Sequence, residues 1–317
     1  MCRIVIAMEP VRSQMLIDIG CISGRQLSAL NQAKGVMILT SKENLVILIT
    51  GASSGIGKAA AEALARKGHR VYGTSRQPKT SPSLDVLNGD ASPGFLKMLR
   101  LDVCDDASAE AAVDFVMKAE GRLDVLINNA GFGIAGPIEE TSVEEAYSQL
   151  NTNFLGLVRM CRQAIPIMRS QKNGLIVNIG SVAGLFSIPF QSMYSVSKYA
   201  IEAYTEALRI EVKPFGIRAV VIEPGDTKTG FTNARNICRA AGNSTYGERF
   251  ARSIRKMEKD EQNGPGPEVV VKAVMGVLNK KNPPVRVTVG FDYKVLVFLK
   301  RLLPSRLVEY ILSKMYA

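Results

Sequence analysis

A tyrosine and a lysine stand four positions apart in the stretch MYSVSKYAIEA, residues 193–203. On a helix this spacing places Tyr194 and Lys198 on one face. A phenol can exchange a proton with a reacting carbonyl group, and a neighbouring cation is expected to lower the pKa of that phenol. Ser181, thirteen positions before Tyr194, carries a hydroxyl that can polarise a carbonyl oxygen. The alternative for the pair is an ordinary amphipathic helix with Lys198 in water.

A glycine-rich turn occurs earlier, in the sequence ITGASSGIGKAAAEALA. Gly51, Gly55 and Gly57 have the spacing of a turn that lets the backbone approach a pyrophosphate at the start of a helix. The same letters contain a G-x-S-x-G pattern centred on Ser53, which also occurs at the nucleophile of α/β hydrolases. Such a hydrolase needs a histidine at the same sheet edge, and the one histidine, His69, is predicted at the opposite edge. The pattern therefore favours a nucleotide site over a serine hydrolase.

The elements that position these residues alternate from about residue 44 onward between short β-branched runs and longer amphipathic runs. Strands that are apolar on both faces and separated by helices predict a parallel sheet covered on two sides. The expected fold is an α/β, doubly wound domain with a parallel seven-stranded sheet. The predicted strands are 45–50, 70–75, 98–103, 123–128, 174–180, 217–224 and 285–290, and the predicted helices include 56–67, 107–119, 142–170 and 193–213.

The composition is that of a globular protein, with 317 residues, 46% hydrophobic and 22% charged. The net charge of +11 is spread along the chain and mixed with acids, which favours anionic ligands and gives no indication of nucleic acid. The five cysteines are odd in number and without a CxxC pair, which predicts a reducing compartment and no metal site. The apolar stretch IVIAM near the start is too short for a secretory signal, so we expect a cytoplasmic protein.

The chain divides into a central domain and two flanking segments. Residues 1–42 show no clear period and are expected to be a disordered extension or an over-extended start, since Met37 directly precedes the first strand. Residues 43–290 form the predicted domain, and the long polar stretch 226–264 within it is interpreted as a substrate lid. Residues 291–317 form an amphipathic tail that could contact a membrane surface, although packing on its own subunit or on a partner is favoured.

The combination of TGASSGIG, NNAG at 128–131, Ser181, and Tyr194 with Lys198 resembles the short-chain dehydrogenase/reductase family from about residue 43 to about residue 290. The stretches YTEALRIEVKPFGI and KVLVFLKRLLPSRL are similar to the branch of 17-beta-hydroxysteroid and retinol dehydrogenases. This resemblance implies a Rossmann fold and an oxidoreductase that interconverts a carbonyl and an alcohol with a nicotinamide cofactor. It also implies a homodimer that pairs through helices 142–170 and 193–213.

The resemblance assigns a role to each matching residue. It implies that Tyr194 is the catalytic acid/base, that Lys198 tunes it and holds the cofactor ribose, and that Ser181 orients the substrate. Asn153 would complete the tetrad through a helix-held water, and its spacing to the next glycine selects it over Asn151. The residues implied to contact the cofactor are Gly51, Ser53, Ser54, Gly55, Ile56, Gly57, Ser75, Arg76, Asp102, Val103, Asn129, Ala130, Gly131, Tyr194, Lys198, Pro224, Gly225, Thr227 and Thr229.

The end of the second predicted strand indicates which nicotinamide cofactor binds. An NAD site places an acidic residue there, whereas this chain has Ser75 followed by Arg76. A guanidinium would attract the 2′-phosphate of NADP, so NADP is favoured over NAD. Many NADP-binding members of the family also have a basic residue within the glycine turn, where Ser54 stands here. Selectivity between the two cofactors is therefore expected to be incomplete.

Apolar residues near the tetrad in sequence predict an apolar substrate such as a steroid, a retinoid or a long-chain carbonyl compound, with a small carbonyl compound as the alternative. The competing function is a non-catalytic NADP-binding sensor on the same fold, which would be expected to have lost part of the tetrad. The predicted wall of the substrate site consists of Phe132, Ile134, Leu185, Phe186, Phe190, Met193 and Phe231.

Overall fold

The structure is a computed structural model that describes residues 44–78, 84–86, 94–232 and 234–316. The predicted extension 1–42 lies outside these ranges, so its prediction stays open. Within the described ranges a central sheet is covered by helices on both faces.

Seven parallel strands form the sheet, in the order β10, β8, β7, β5, β1, β2, β4. A short eighth strand, β3, pairs antiparallel with β4 at the edge. The strands of this sheet are β1 (Val46–Ile49), β2 (Arg70–Ser75), β3 (Leu84–Val86), β4 (Gly94–Arg100), β5 (Val125–Asn128), β7 (Gly174–Ile179), β8 (Ile217–Glu223) and β10 (Arg286–Thr288). A separate parallel ladder joins β6 (Ile134–Ala135) to β9 (Asn236–Ile237).

Nine α-helices lie in the described part of the chain. They are α1 (Gly55–Arg66), α2 (Asp106–Glu120), α3 (Val143–Leu150), α4 (Gly156–Gln171), α5 (Ser192–Val212), α6 (Gly247–Asn263), α7 (Glu268–Leu278), α8 (Phe291–Leu302) and α9 (Ser305–Tyr316). None of the helices in these ranges is long and apolar enough to cross a membrane.

The core consists of one apolar layer on each face of the sheet. Side chains of α2, α4 and α5 pack on one face, and those of α1 and α7 pack on the other. Strands β1, β5 and β7 are buried along their whole length because both of their faces meet helices. This arrangement confirms the predicted doubly wound α/β fold and its seven-stranded parallel sheet.

The predicted elements differ from the observed ones in three places. The third predicted strand, 98–103, is found at Gly94–Arg100, because the chain turns at Asp102, whose carboxylate accepts a hydrogen bond of 2.9 Å from the Cys104 N–H. The predicted helix 142–170 is divided by a π-helical turn at Asn151–Leu155. The antiparallel edge strand β3 was not predicted.

The predicted lid and the predicted tail both contain regular structure. Residues 226–264 include β9, a short 3-10 turn at Arg239–Asn243, and α6. The tail forms α8 and α9, and α9 lies against α6, where the ammonium of Lys256 is 5.9 Å from the centre of the Tyr316 ring. The tail therefore contacts its own chain through α9 and α6, and the prediction about a membrane surface stays a prediction.

Candidate active site

A cavity of about 650 Å³ lies at the carboxyl edge of the sheet. In open α/β sheets ligands bind at this edge, where the loops that follow the strands meet. Of the residues implied to contact the cofactor, all but Gly57 line the cavity. The structure therefore brings together segments that lie as far apart in sequence as residues 51 and 229.

The glycine turn after β1 fits a bound diphosphate. Gly51 and Gly55 have φ angles of +66° and +53°, which favour glycine. In the described structure α1 has neither a capping hydrogen bond from the Ser54 side chain nor an acidic residue in its first turn, so its positive end faces the cavity. Gly57 has a packing role instead, because a Cβ there would lie 2.3 Å from the carbonyl oxygen of Gly51.

The NNAG segment is tied to the end of β1 by hydrogen bonds. The backbone N–H groups of Asn129 and Ala130 both donate to the Thr50 hydroxyl at 2.9 Å. The Asn129 amide donates to the carbonyl oxygens of Thr50 and Gly51 at 3.0 Å each. Thr50, which the sequence did not indicate as a site residue, therefore fixes the segment after β5 against the glycine turn after β1.

The far end of the cavity is formed by residues that follow β2 and β4. Ser75 ends β2 and the exposed Arg76 follows it, and Asp102 and Val103 follow β4. The Ser75 hydroxyl accepts a hydrogen bond of 3.3 Å from the backbone of Gln77. No carboxylate stands at the end of β2, and the Arg76 guanidinium lines the cavity there.

Tyr194, Lys198 and Ser181 meet in the middle of the cavity. Tyr194 and Lys198 lie in the first two turns of α5, and Ser181 follows β7. The Lys198 ammonium donates to the carbonyl oxygen of Ile179 at 2.9 Å and lies 5.6 Å from the centre of the Tyr194 ring. The Ser181 hydroxyl accepts from the Ala183 N–H at 3.1 Å.

The pKa of the Tyr194 phenol differs from the expectation. Burial raises the pKa of Tyr194 to about 12, although its hydrogen bond with Ser181 acts in the opposite direction. Burial lowers the pKa of Lys198 to about 8. The predicted lowering of the phenol pKa by Lys198 is absent here, because loss of hydration disfavours the charged form of both groups.

Asn153 is buried in the π-helical turn and does not line the cavity. Its amide oxygen accepts from the Phe132 N–H at 3.0 Å, and its amide nitrogen donates to the Phe132 carbonyl at 2.9 Å and to the Ser197 hydroxyl at 3.1 Å. The Ser197 hydroxyl donates to the Tyr194 carbonyl at 2.7 Å. Asn153 thus connects the loop after β5 to the helix that carries Tyr194.

The predicted apolar wall is only partly correct. Phe132 and Phe231 line the cavity, and the rings of Phe231 and Tyr194 are 5.6 Å apart. Phe190 instead packs against Phe250 of α6 at 5.5 Å. A second cavity lies next to this one, and Phe186 lines it. The predicted wall residues that line neither cavity are Ile134, Leu185, Phe190 and Met193.

Charged side chains that the sequence reading missed complete the wall on the side of the predicted lid. Asp226 and Glu261 line the cavity, and Arg235 forms an ion pair with Glu261. The Thr232 hydroxyl donates to Glu261 at 2.6 Å, and burial raises the pKa of that carboxyl. A polar stretch without a clear period gives no signal as to which of its charges face inward.

His69 lies at the start of β2, where its Nδ1 accepts a hydrogen bond of 3.3 Å from the Leu45 N–H. Ser53 follows β1, and β1 runs parallel to β2. The two residues therefore lie at opposite edges of the sheet, as predicted, so His69 cannot serve Ser53 as a catalytic base.

Comparison with known proteins gives consistent matches. Residues 45–239 match the family model described as short chain dehydrogenase. The chain is 44% identical over 274 residues to 3-ketodihydrosphingosine reductase from Bacteroides thetaiotaomicron, covering 86% of this chain and 98% of that protein. It is 33% identical over 266 residues to retinol dehydrogenase 8 from Homo sapiens, covering 80% and 84%. A solved short-chain dehydrogenase from Streptomyces avermitilis is 32% identical with a TM-score of 0.70, covering 82% and 94%.

Proposed function

The chain belongs to the short-chain dehydrogenase/reductase family, and from this we propose that it is an NADP(H)-dependent oxidoreductase that interconverts a carbonyl group and an alcohol on an apolar substrate. The observation that carries the proposal is the meeting of Tyr194, Ser181 and Lys198 in one cavity with the glycine turn. A sensor without catalysis would have no need of these three groups beside an apolar wall.

Each of these side chains has a distinct task in the proposed reduction. A bound reduced nicotinamide would supply the hydride. The Tyr194 hydroxyl donates a proton to the carbonyl oxygen, and its raised pKa means that the hydroxyl is protonated at neutral pH. The Ser181 hydroxyl donates a hydrogen bond to the same oxygen and holds it in place. The Lys198 ammonium, which lines the same cavity, holds a ribose hydroxyl of the cofactor.

The walls around Tyr194 favour an apolar substrate. The rings of Phe132 and Phe231 line the cavity and offer apolar surface to a substrate. Two of the relatives have names that give lipids as their substrates, 3-ketodihydrosphingosine and retinol. We infer that this chain also acts on a lipid-like ketone or alcohol.

A panel of carbonyl compounds with NADPH tests the proposed function, with the loss of NADPH absorbance as the readout. We expect apolar ketones to be reduced with a higher kcat/KM than small polar ketones, because the rings of Phe132 and Phe231 line the cavity. A protein that binds NADPH and reduces no compound of the panel would instead support the non-catalytic sensor.

The choice of NADP over NAD is supported by Arg76, which follows β2 and lines the cavity. Related solved structures hold NADH or NADP, so family membership alone does not select the cofactor. A hydrogen bond to a charged group contributes about 1.5–3 kcal/mol, and about 1.4 kcal/mol corresponds to tenfold in affinity. We therefore expect Arg76→Ala to weaken NADPH binding by about 10- to 100-fold and to leave NADH binding nearly unchanged.

Fluorescence titration of both cofactors at fixed salt measures this effect. Addition of Ser75→Asp should reverse the preference, because a carboxylate repels the 2′-phosphate and accepts hydrogen bonds from the ribose hydroxyls of NADH. Arg255→Ala is the matched control, since Arg255 is exposed on α6 and does not line the cavity. If Arg76→Ala weakens both cofactors equally, the NADP assignment is wrong.

A further inference from the structure

A second cavity, of about 450 Å³, lies between the C-terminal helices and the active site. Helices α8 and α9 form one side of it, and the loop after β7 and the turn after β8 form the other. We call this cavity the tail groove. The segment from α8 to α9 contributes apolar side chains to it, including Leu296, Leu299, Leu303, Ile311, Leu312 and Met315.

The tail groove is fixed to the active site through Tyr293 of α8. The Tyr293 hydroxyl bonds to the Asp226 carboxylate and accepts a hydrogen bond of 3.1 Å from the Asp226 N–H. The Tyr293 ring lies against Gly225, where a Cβ would be only 2.1 Å from a ring carbon. Gly225 and Asp226 also line the catalytic cavity, so the position of α8 is coupled to that cavity.

The two cavities are neighbours. Val182, Ile188 and Asp226 line both. Val182 directly follows Ser181, and its N–H donates to the Pro224 carbonyl at 3.0 Å. A residue that lines both cavities therefore lies directly after the serine that is proposed to hold the carbonyl oxygen.

The walls of the tail groove leave apolar surface uncovered. Leu296, Leu299, Ile311 and Met315 each remain 38–40% exposed although they line the groove. A hydrocarbon that enters from the catalytic cavity would cover this surface, and burial of apolar area favours binding. A ligand that occupies both cavities must bend past the residues that line both, so a flexible chain suits this site better than a rigid ring system.

We propose that the tail groove binds the unbranched alkyl chain of the substrate while its carbonyl group lies at Tyr194. The proposal deepens the proposed function and rests on it. It makes the enzyme selective for long-chain carbonyl compounds among the apolar substrates. The C-terminal helices are then part of the substrate site, and a ligand covers the exposed parts of Leu296 and Leu299.

The first test is the dependence of kcat/KM on chain length for straight-chain methyl ketones from hexanone to tetradecanone, with NADPH. In the wild type we expect kcat/KM to rise by up to about fourfold for each added methylene until the groove is filled. Leu299→Trp places a large ring in the groove and should abolish this rise while hexanone reduction is retained. Leu302→Trp is the matched control, because Leu302 lies on the same helix but is 65% exposed and outside the groove.

The second test measures binding without turnover, by calorimetric titration of the NADPH complex with dodecanol. We expect the wild type and Leu302→Trp to bind dodecanol and Leu299→Trp to bind it at least tenfold more weakly. Failure of the wild type to bind dodecanol would overturn the proposal, whatever its activity. Reduction of hexanone with no gain from longer chains would also overturn it while leaving the proposed function intact. Dodecanol binding without reduction of any ketone would support the groove and contradict the proposed function.

Discussion

Replacement of Tyr194 by phenylalanine is expected to lower kcat by about 10²- to 10⁴-fold, the usual contribution of general acid catalysis, while NADPH binding is retained. The substitution removes only the hydroxyl. The ring keeps its packing against Phe231 and its position 5.6 Å from the Lys198 ammonium. Because α5 is otherwise unchanged, the loss reports on proton transfer and not on folding.

Steady-state kinetics with the best ketone of the panel and a fluorescence titration of NADPH measure the two quantities separately. Tyr204→Phe is the matched control, since it removes a hydroxyl from the same helix at a ring that packs against Phe154 at 5.9 Å, outside the cavity. The control should keep kcat within a few-fold of the wild type. A parallel loss of turnover and NADPH binding in Tyr194→Phe would assign Tyr194 a structural role.

A cluster of buried acids behind the catalytic helix gives the second large effect. Glu202, one turn after Lys198 on α5, and Glu223, at the end of β8, are 5% and 0% exposed. The Arg286 Nε atom lies 3.1 Å from the Glu202 carboxylate and 3.2 Å from that of Glu223. Arg286 also pairs with Glu206 on α5. One guanidinium of β10 therefore holds together two carboxylates that would repel each other in the protein interior.

Substitution of Arg286 by leucine is expected to lower the free energy of unfolding by about 3–5 kcal/mol at neutral pH, because it leaves buried charges without a partner. Burial and the Glu223 charge raise the pKa of Glu202 to about 7, above its ordinary value, while Arg286 lowers it. A raised folded-state pKa means that Glu202 contributes stability at low pH that is lost as the pH rises through 7. Without Arg286 the pKa of Glu202 rises further, so the loss of stability should be larger at about pH 8 than at about pH 5.

Urea unfolding of the wild type and Arg286→Leu at both pH values measures the difference. Arg255→Leu is the control, because the ion pair of Arg255 with Glu248 is exposed and such pairs contribute about 0–1 kcal/mol. An equal loss of stability at the two pH values would show that the buried carboxylates do not depend on Arg286 for their charge.

The parts of the fold and site that the sequence predicted are those that short segments specify. Alternation of apolar strands with amphipathic helices determines a covered parallel sheet whatever the rest of the chain does. The glycine turn needs residues at positive φ at positions 51 and 55, and the glycines at these positions in the sequence indicate the turn. The four-residue spacing of Tyr194 and Lys198 and the order of the strands then suffice to place both beside Ser181 at the carboxyl edge.

Tertiary structure alone decided what surrounds these groups. Whether the pKa of Tyr194 is raised or lowered depends on its burial. The hydrogen-bond partners of Asn153 depend on where the loop after β5 lies. Glu261 lines the cavity because of the way α6 packs. The tail groove exists only because Tyr293 docks on Gly225, which is distant in sequence. Hydration, charge proximity and cavity shape are sums over neighbours from separate segments, and those neighbours are defined only once the chain has packed.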